Sequence, residues 1–504
     1  MIKQKWDQII KNQEVRQTLS SIRKDIKDSS QRNELMRLVK GEEEILIALL
    51  DAEDAKTRKN AALLMGDIGE QKFLAPIYTA YETEKQRFVK SSYLAAIGKF
   101  DYSAYAESLK ERLSSLQQIE MTTENQKHIM EELHELSNLI VHSEGTHKHT
   151  FTGWNESYEI VLITNRKYAD LVKEQLMELA PESKTRVFGA GIQACVKNLN
   201  WIKELRTYQE ILFVVKGMKT CSLEPVGVAA MISRSGLLDF LSKGHGGARP
   251  YYFRVELKSK RNLNEKSKFV KRLSGQLVKQ SDGVLINTTD NYEFELRVIE
   301  NKEGNCNVLV KLFTIKDMRF SYRKEVIPAS IKPVNAALCT ALAKDYMKED
   351  AQVLDPFCGV GSMLIERHKA VRANTTYGID IQEEAIVKAR KNTEAAGQII
   401  HYINRDFFRF QHEYLFDEVI TDMPFPIGRV TEDEVLELYQ RFFMMVPRHL
   451  KEDAVLILYS HNGDFVKQLA PGHGFRIVNE FEVSRREGIY VFILKEERQG
   501  VLKS

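Results

Sequence analysis

The segment from Asp355 to Ser362 constrains the fold of this 504-residue chain more than any other stretch. Its residues, DPFCGVGS, follow the apolar run 353–354 and precede the apolar run 363–365, so two glycines fall where a strand gives way to a helix. At such a turn the missing Cβ lets the backbone approach a ligand closely. The next apolar run, 377–380, ends in an acidic residue, Asp380. This pattern predicts a parallel α/β sheet with a ligand site at the carboxyl ends of its strands.

The charge of this turn indicates what the site binds. A nicotinamide dinucleotide places a pyrophosphate at the helix N-terminus, which Asp355 would repel. A carboxylate favours a cofactor with an ammonium and a sulfonium, as in S-adenosylmethionine. Asp380 is the predicted ribose ligand, and Asp406 is predicted to lie beside the adenine amino group, with a turn cap as the alternative. The predicted cofactor-binding residues are Asp355, Pro356, Phe357, Cys358, Gly359, Gly361, Ser362, Asp380, Ile381, Asp406 and Phe407.

Downstream of this turn, apolar runs alternate with amphipathic stretches, which is typical of a strand and helix repeat. The predicted strands are 400–403, 416–421 and 454–459, and the predicted helices are 383–395, 432–449 and 463–470. Two further strands are predicted at 475–483 and 488–494. The few residues that join this last pair are too short for a parallel crossover, so an antiparallel hairpin is expected.

The tetrapeptide from Asp422 to Phe425 directly follows the fourth strand of this sheet. An exocyclic amine of a base is a poor nucleophile because its lone pair is delocalised into the ring. Asp422 and the Met423 carbonyl are predicted to accept its two hydrogens and so favour a pyramidal nitrogen. Pro424 would make the turn rigid, and Phe425 would stack on a flipped base. The motif predicts methyl transfer to an amine by positioning, without a covalent intermediate or a metal.

Two other features receive no catalytic role. Gly189 to Gly191 resembles the glycine turn and precedes a helix-like stretch, but no acidic residue ends the next apolar run, 211–215. Cys358 is predicted to be structural, because cytosine-C5 transfer needs a thiolate in the fourth-strand motif and that motif has none. The five cysteines of the chain are widely spaced, which argues against a disulfide framework or a zinc ribbon.

The net charge of +3 is too small to indicate a nucleic-acid partner, so the distribution of charge carries that argument. Lysines and arginines cluster between residues 258 and 279 against one acid, Glu265, after the aromatic-containing strand 251–257. A helix of this composition could follow RNA phosphates, with a solvated helix face as the alternative. The predicted RNA-binding residues are Lys258, Lys260, Arg261, Lys268, Lys271, Arg272, Arg319, Arg323 and Lys324.

The first 140 residues have no strand alternation and are rich in Leu, Ala, Glu and Lys at helical spacing. Similar stretches at 59–64 and 90–95, each after another amphipathic helix, predict a short HEAT-like solenoid. Such a module would offer a surface to a protein partner or to RNA, or it would cap the catalytic half.

Residues 141–156 are predicted to form a linker, because the run from His142 to Thr150 is polar and lacks apolar periodicity. His142, His147 and His149 have no acidic or cysteine partners at metal-ligand spacing, so a solvated loop is expected rather than zinc. The chain start lacks the apolar stretch of a signal peptide and no membrane segment is evident, so a cytoplasmic protein is expected.

These motifs together resemble the THUMP-domain RNA methyltransferases, in particular those that modify the exocyclic amine of guanine in tRNA. The resemblance covers roughly residues 156 to 495 and rests on three segments in the family's order, 319–333, 355–362 and 422–425. It implies an S-adenosylmethionine cofactor and a ferredoxin-like plus THUMP module that grips the acceptor end of tRNA. It also implies a class I methyltransferase domain that methylates N2 of a guanosine.

The expected fold is therefore multidomain. The predicted parts are α-helical HEAT-like repeats at 1–140, a linker at 141–156, a central α+β ferredoxin-like plus THUMP module at 157–325, and a C-terminal α/β Rossmann-like class I methyltransferase domain at 326–504.

One departure from the family's pattern concerns the acceptor. Many members have Pro-Pro after the acidic or amide residue, whereas this chain has Met423 before Pro424, and Pro426 stands where glycine is frequent. A backbone carbonyl is the second acceptor, so transfer is expected to survive while the acceptor base stays open. Guanine N2 in ribosomal RNA and adenine N6 are the nearest alternatives. A protein glutamine methyltransferase is more distant, and the non-enzyme alternative is an RNA-binding protein that has lost turnover.

Overall fold

The computed structural model describes residues 2–117, 126–144, 149–246 and 250–497. The chain forms two compact units, each made of two separated segments. The first unit comprises residues 1–152 and 215–314, and the second comprises residues 153–214 and 315–504. The three domains and the linker expected from the sequence stay a prediction, because the boundaries of these two units do not coincide with theirs.

The first segment is helical, as the spacing of its apolar residues predicts. Its elements are α1 (Ile2–Ile10), α2 (Val15–Asp25), α3 (Ser29–Val39), α4 (Glu43–Ala48), α5 (Ala55–Ile68), α6 (Leu74–Thr83), α7 (Arg87–Ile97), α8 (Ala106–Gln117), α9 (Gln126–Glu144) and the short strand β1 (Thr150–Phe151). Helix α7 packs against α5 and α9, and Leu64, Tyr93 and Leu136 are fully buried in their common core. The similar stretches 59–64 and 90–95 thus lie in two packed helices, while the HEAT-like assignment stays a prediction.

The predicted linker differs from the structure at both of its described ends. Helix α9 continues to Glu144, so the linker's first residues are helical, and residues 145–148, with His147, lie outside the described residues. His149 is buried rather than solvated, since its Nδ1 lies 2.6 Å from a carboxylate oxygen of Glu293. The expectation of a solvated loop was wrong for His149 because its acidic partner is distant in sequence.

The second segment forms an antiparallel set of strands with one helix. Its elements are β2 (Tyr158–Ile163), α10 (Ala169–Leu179), β3 (Lys184–Phe188), β4 (Gly191–Val196) and β5 (Glu210–Val214), and the strands pair in the order β3-β4-β2-β5. The stretch after Gly191, predicted to be helix-like, is a strand. Ile192, Ala194 and Val196 are buried while Cys195 is exposed, which is the two-residue period of a strand.

The third segment combines a mixed sheet with three helices in its described part. Its elements are β6 (Cys221–Ser222), α11 (Pro225–Ser233), α12 (Leu237–Gly244), β7 (His245–Gly246), β8 (Tyr251–Lys258), α13 (Leu263–Gln280), β9 (Leu285–Asn287), β10 (Phe294–Glu300) and β11 (Asn305–Leu312). Strand β8 lies parallel to β9 and β10, β11 is antiparallel to β10 and β6, and β7 pairs with β1. Helix α13 begins with a capping box between Asn262 and Glu265. The basic stretch is therefore helical from Leu263 onwards, whereas Lys258 ends β8 and Lys260 and Arg261 precede the helix.

The fourth segment alternates strands and helices. Its elements are α14 (Pro333–Ala343), β12 (Ala351–Asp355), α15 (Ser362–Ala370), β13 (Ala373–Asp380), α16 (Glu383–Ala395), β14 (His401–Asn404), β15 (Phe416–Asp422), α17 (Glu432–Met445), β16 (Leu450–Ser460), α18 (Gly463–Gly472), β17 (Phe475–Ser484) and β18 (Ile489–Glu496). The strand order is β14-β13-β12-β15-β16-β18-β17. The first five strands are parallel, whereas β18 is antiparallel to both of its neighbours, so the predicted closing hairpin is confirmed.

Both faces of this sheet are buried, which explains why its strands are nearly continuous apolar runs. Alternate residues contribute to two separate cores, with Leu354, Val419 and Leu456 in one and Val353, Ile420 and Ile457 in the other. Because each face needs helices to cover it, this arrangement is a doubly wound α/β sheet. No helix in the described parts of the chain combines the length and the apolar character needed to cross a membrane.

A buried ion pair joins α15 to β15. The Arg367 guanidinium donates to both carboxylate oxygens of Glu418 at 2.9 and 2.7 Å, and the two side chains are 0% and 1% exposed. Arg367 also donates to the carbonyls of Val371 and Lys348. Burial raises the pKa of Glu418, against the effect of Arg367. The fork geometry fixes the helix that begins at the glycine turn against the strand that ends at Asp422.

Replacing Arg367 with Met tests this coupling. The substitution leaves Glu418 buried without its cation, so we expect the free energy of unfolding to fall by about 3–5 kcal/mol. Urea unfolding of the full chain measures the loss. The double variant Arg367→Met, Glu418→Met removes both charges and is expected to recover much of the loss. A single variant as stable as the wild type would contradict the assignment.

Candidate functional site

A cavity of about 580 Å³ opens where strands β12, β13, β14 and β15 end. Its lining includes every residue predicted for the cofactor except Gly361, together with all four residues from Asp422 to Phe425. The sequence places these residues in four separate stretches, and the parallel sheet brings them to one edge.

The glycine turn has the backbone geometry that the sequence predicts. Gly359 and Gly361 have φ angles of +51° and +82°, a region that side chains other than glycine rarely adopt. A Cβ at Gly361 would lie 2.2 Å from the hydroxyl of Tyr402, so a larger residue would force Tyr402 to shift. Cys358 is buried, and burial raises the pKa of its thiol well above the usual range. A neutral buried thiol is consistent with the structural role expected for Cys358.

Asp380 and Asp406 both hold backbone amides near the cavity. Asp380 accepts hydrogen bonds from the N–H groups of Gly359 and Gln382 at 3.0 and 2.8 Å. Asp406 accepts from the N–H of Phe408 at 3.0 Å, so it does cap a turn, as the alternative reading has it. Since Asp406 also lines the cavity, capping and a contact with adenine are compatible.

Asp355 is almost fully buried at the base of the turn. Its Oδ1 accepts from the N–H of Phe357 at 3.0 Å. Burial raises the pKa of Asp355 to about 7. Burial thus disfavours the ionised form of Asp355, and a bound cation would favour it again.

Asp422 has one carboxylate oxygen, Oδ1, that is buried and has no hydrogen-bond partner among the described residues. Burial, with the nearby Asp355 carboxylate, holds the pKa of Asp422 well above its usual range. The adjacent Met423 donates its N–H to the carbonyl of Tyr459 at 2.8 Å. This hydrogen bond fixes the backbone at Met423, whose carbonyl is predicted to accept a hydrogen bond from the amine.

Asn392 ties the segment before the sheet to the cofactor turn. This side chain is completely buried and accepts from the N–H groups of Lys324 and Glu325 at 2.9 Å. Its amide donates to the carbonyls of Glu325 and Val360 at 3.0 and 3.1 Å. The cavity wall formed by residues 327–331 therefore follows a backbone stretch that is held in place.

Several lining residues escape the sequence analysis. They are Ile327, Ala329, Ser330, Ile331, Val360, Met363, Gln382, Arg405, Phe408, Ile427, Val430, Glu434, Val435, Leu438 and Arg441. The Arg441 guanidinium lies over the Phe408 ring at 3.9 Å. The segment 327–331 and Val360 carry a signal, since both belong to stretches quoted for the family resemblance.

His461, at the end of β16, is a further residue that the sequence analysis misses. Its ring stacks on Phe425 with centroids 4.1 Å apart and an interplanar angle of 24°. Its Nε2 lies 3.9 Å from Asp422 Oδ1. Its position one residue beyond a parallel strand is the signal that could have found it.

The residues predicted to bind RNA differ in their exposure and in their ion pairs. Lys260, Lys268, Lys271 and Arg272 are exposed and have no ion pair within the described residues. Lys258 pairs with Glu256 at 2.7 Å, and Arg261 lies 3.6 Å from Glu300.

Arg319, Arg323 and Lys324 differ from one another. Arg319 is 5% exposed, donates to Asp317 and lies 3.6 Å from the Tyr208 ring centroid, so it is no part of an RNA surface. The prediction was wrong for Arg319 because these partners satisfy its charge internally. Arg323 is half-buried, and Lys324 is exposed.

Comparison with known proteins is consistent with this site. Residues 321–487 match the family model described as UPF0020, the RMKL-like methyltransferase domain. The structure of TrmN from Thermus thermophilus has a TM-score of 0.51 and 19% identity, over 68% of this chain and 100% of that one. A predicted N6-adenine-specific DNA methylase from Listeria monocytogenes has a TM-score of 0.52 and 16% identity, over 67% and 96%. SMU.472, complexed with SAH, has a TM-score of 0.52 and 15% identity, over 69% and 99%.

The fold and the matched domain define a methyltransferase with the class I, Rossmann-like architecture. S-adenosylmethionine is its methyl donor. The cavity fits this cofactor, because buried carboxyl groups can face its positive charges. Ser362 Oγ is buried without a hydrogen-bond partner among the described residues, which is expected where a ligand completes the bonding.

The pKa of Asp355 predicts how cofactor affinity depends on pH. Because folding raises this pKa to about 7, the unliganded protein loses stability as pH rises from the ordinary carboxyl range through that value. The cationic cofactor favours the ionised carboxylate, so its affinity is expected to increase by about tenfold from about pH 6 to about pH 8. Titration calorimetry with S-adenosylmethionine measures this change. Asp355→Asn should bind weakly with a flat profile, and an unchanged slope in this variant would assign the effect to another group.

Proposed function

We propose that this protein transfers the methyl group of S-adenosylmethionine to the exocyclic N2 of a guanosine in tRNA. The observation that carries the proposal is the motif from Asp422 to Phe425, which lines the cofactor cavity at the end of β15. An unpartnered carboxylate oxygen beside an aromatic ring suits a flat base with an amine.

The chemistry of this proposal is positioning. The carboxylate of Asp422 and the carbonyl of Met423 accept the two amine hydrogens, so that the nitrogen lone pair turns towards the methyl group. Phe425 stacks on the base and restricts its rotation. Burial of Asp422 strengthens these hydrogen bonds, because the local dielectric is lower than that of water.

The hydrogen-bonding patterns of the two candidate purines support guanine as the acceptor base. Guanine presents N1–H and N2–H as adjacent donors, which match the two acceptor oxygens of an ionised carboxylate. Adenine presents a donor beside an acceptor, which an amide matches better. A predicted N6-adenine-specific DNA methylase is among the similar structures, so adenine is the competing base. Asp422 favours guanine, provided that the cofactor's positive charge keeps the carboxylate ionised.

RNA as the substrate is supported by the exposed basic side chains of α13. Lys268, Lys271 and Arg272 lie within one and a half turns of this helix. Their spacing lets them approach the phosphates of one backbone segment, and each neutralised phosphate releases a counterion. The THUMP-containing module is the part of the chain to which we assign this contact.

Transfer of labelled methyl tests the proposed reaction. The wild-type protein is incubated with S-adenosylmethionine and either tRNA or ribosomal RNA, and the nucleosides are identified after digestion. We expect N2-methylguanosine from tRNA. Product found in ribosomal RNA alone would reassign the substrate, and N6-methyladenosine would reassign the base.

The role of Asp422 is separable from cofactor binding. Asp422→Ala removes the acceptor of the amine hydrogen, so we expect kcat to fall at least about a hundredfold, while S-adenosylmethionine affinity changes by no more than about threefold. Single-turnover transfer and calorimetry measure the two quantities. An equal loss of cofactor affinity would mean that Asp422 belongs to the cofactor site.

The RNA surface is tested by replacing Lys268, Lys271 and Arg272 together with Gln. We expect weaker tRNA binding and a shallower dependence of log Kd on log salt, by about 0.9 for each lost phosphate contact. Filter binding over a range of salt concentrations measures the slope.

A charge-matched control distinguishes a specific surface from net charge. Lys3, Lys11 and Lys24 are exposed residues of the first helical segment. Their joint replacement with Gln removes the same formal charge and is expected to leave the salt slope unchanged. Equal effects in the two triple variants would exclude α13 as the specific contact.

A further inference from the structure

His461 is placed where it contacts two residues of the acceptor motif at once. Its ring covers one face of Phe425 at 4.1 Å, and its Nε2 faces Asp422 Oδ1 at 3.9 Å. The second distance is too long for a hydrogen bond, which agrees with the unpartnered state of that oxygen. The distance exceeds that of a hydrogen bond by less than about 1 Å.

The surroundings of His461 allow it to change protonation state. Burial lowers the pKa of His461, and Glu487 opposes that effect. Tyr459 meets the imidazole edge-on, with centroids 5.6 Å apart, and Asp422 is the other acid that faces it. The side chain is 27% exposed, so the ring has both a buried edge towards Asp422 and access to solvent.

We propose that His461 is a positioning residue that orients Phe425 and Asp422 and that it takes the proton which the methylated amine releases. This inference rests on the proposed function, because it needs an amine acceptor bound against Asp422. It assigns a role to a side chain outside the cofactor and acceptor motifs.

Methyl transfer leaves one proton to be removed from the acceptor nitrogen. The amine nitrogen uses its lone pair to form the N–C bond, while the C–S bond breaks and its electron pair stays on sulfur, leaving a neutral thioether. The nitrogen then carries an extra proton, which passes to the Asp422 carboxylate. Asp422 passes that proton to Nε2 of neutral His461, and the imidazolium releases it to water. Asp422 returns to the ionised form that accepts the next amine.

The orientation of Phe425 depends on the same imidazole. One face of the Phe425 ring is covered by His461, so a base can stack only on the other face. Offset stacking of two flat rings limits rotation of Phe425 about its side-chain bonds. His461 therefore narrows the positions that a base can take relative to Asp422.

Two substitutions separate these roles in the full-length protein. His461→Phe keeps a flat ring against Phe425 but cannot accept a proton. We expect it to retain the KM for RNA, to lose about tenfold in kcat near neutral pH, and to reach its kcat plateau at higher pH than the wild type. His461→Ala removes the stack as well and is expected to raise KM in addition. His401→Phe, an exposed histidine of β14, serves as the control.

A second measurement needs no RNA. The pKa of His461 is followed by NMR of histidine-labelled protein with S-adenosylmethionine, in the wild type and in Asp422→Asn. Loss of the facing carboxylate should lower the pKa of His461, because an anion stabilises the imidazolium. The same pKa in both proteins would overturn the proposed pairing.

The outcomes for this inference and for the proposed function are distinguishable. If the wild type methylates RNA and His461→Phe matches its kcat and pH profile, the proton role is wrong and the proposed function stands. If the wild type methylates no RNA, the proposed function fails, and the proton role, which rests on it, fails with it. A lowered kcat together with a shifted pH profile, and a His461 pKa that depends on Asp422, would establish the role.

Discussion

The site depends on the buried pair between Arg367 and Glu418. Two charges in an apolar interior are costly unless each neutralises the other and all remaining donors are satisfied. Here the guanidinium also donates to two backbone carbonyls, so few alternative arrangements are open to α15 and β15. The N-terminus of α15 carries the cofactor turn, and the carboxyl end of β15 carries Asp422. The Arg367–Glu418 pair lies away from the strand ends that line the cavity. It nevertheless sets the distance between the cofactor turn and Asp422.

Much of the catalytic sheet is predictable because its signals are local. The turn at Gly359 and Gly361 needs positive φ angles, and only glycine adopts them readily. The two glycines therefore make this turn visible in the sequence. The strands are apolar runs because both faces are covered, and each acidic residue of interest stands at the end of one such run. Because the strands are parallel, Asp355, Asp380 and Asp422 must lie at one edge of the sheet. Their placement can therefore be predicted before the side-chain packing is known.

The sequence does not reveal contacts between residues that are far apart along the chain. Arg319 belongs to a run of basic residues, yet it is buried against Tyr208, which comes from a different part of the chain. His149 lies in a polar stretch and still finds a buried carboxylate at Glu293. His461 becomes informative only when the structure shows Phe425 beside it. A charge or an imidazole is read as exposed by default, and only tertiary contacts identify the exceptions.

The contacts of Asn392 bear on how far the catalytic part of the chain is modular. One amide side chain satisfies backbone groups of Lys324, Glu325 and Val360, so the wall at 327–331 and the cofactor turn are held by the same buried residue. A fragment that starts at α14 would retain the sheet and the glycine turn but would expose Asn392 to water and remove one side of the cavity. Methyl-donor binding would then require the chain ahead of the sheet, and transplanting the sheet alone into another protein would not transplant the activity.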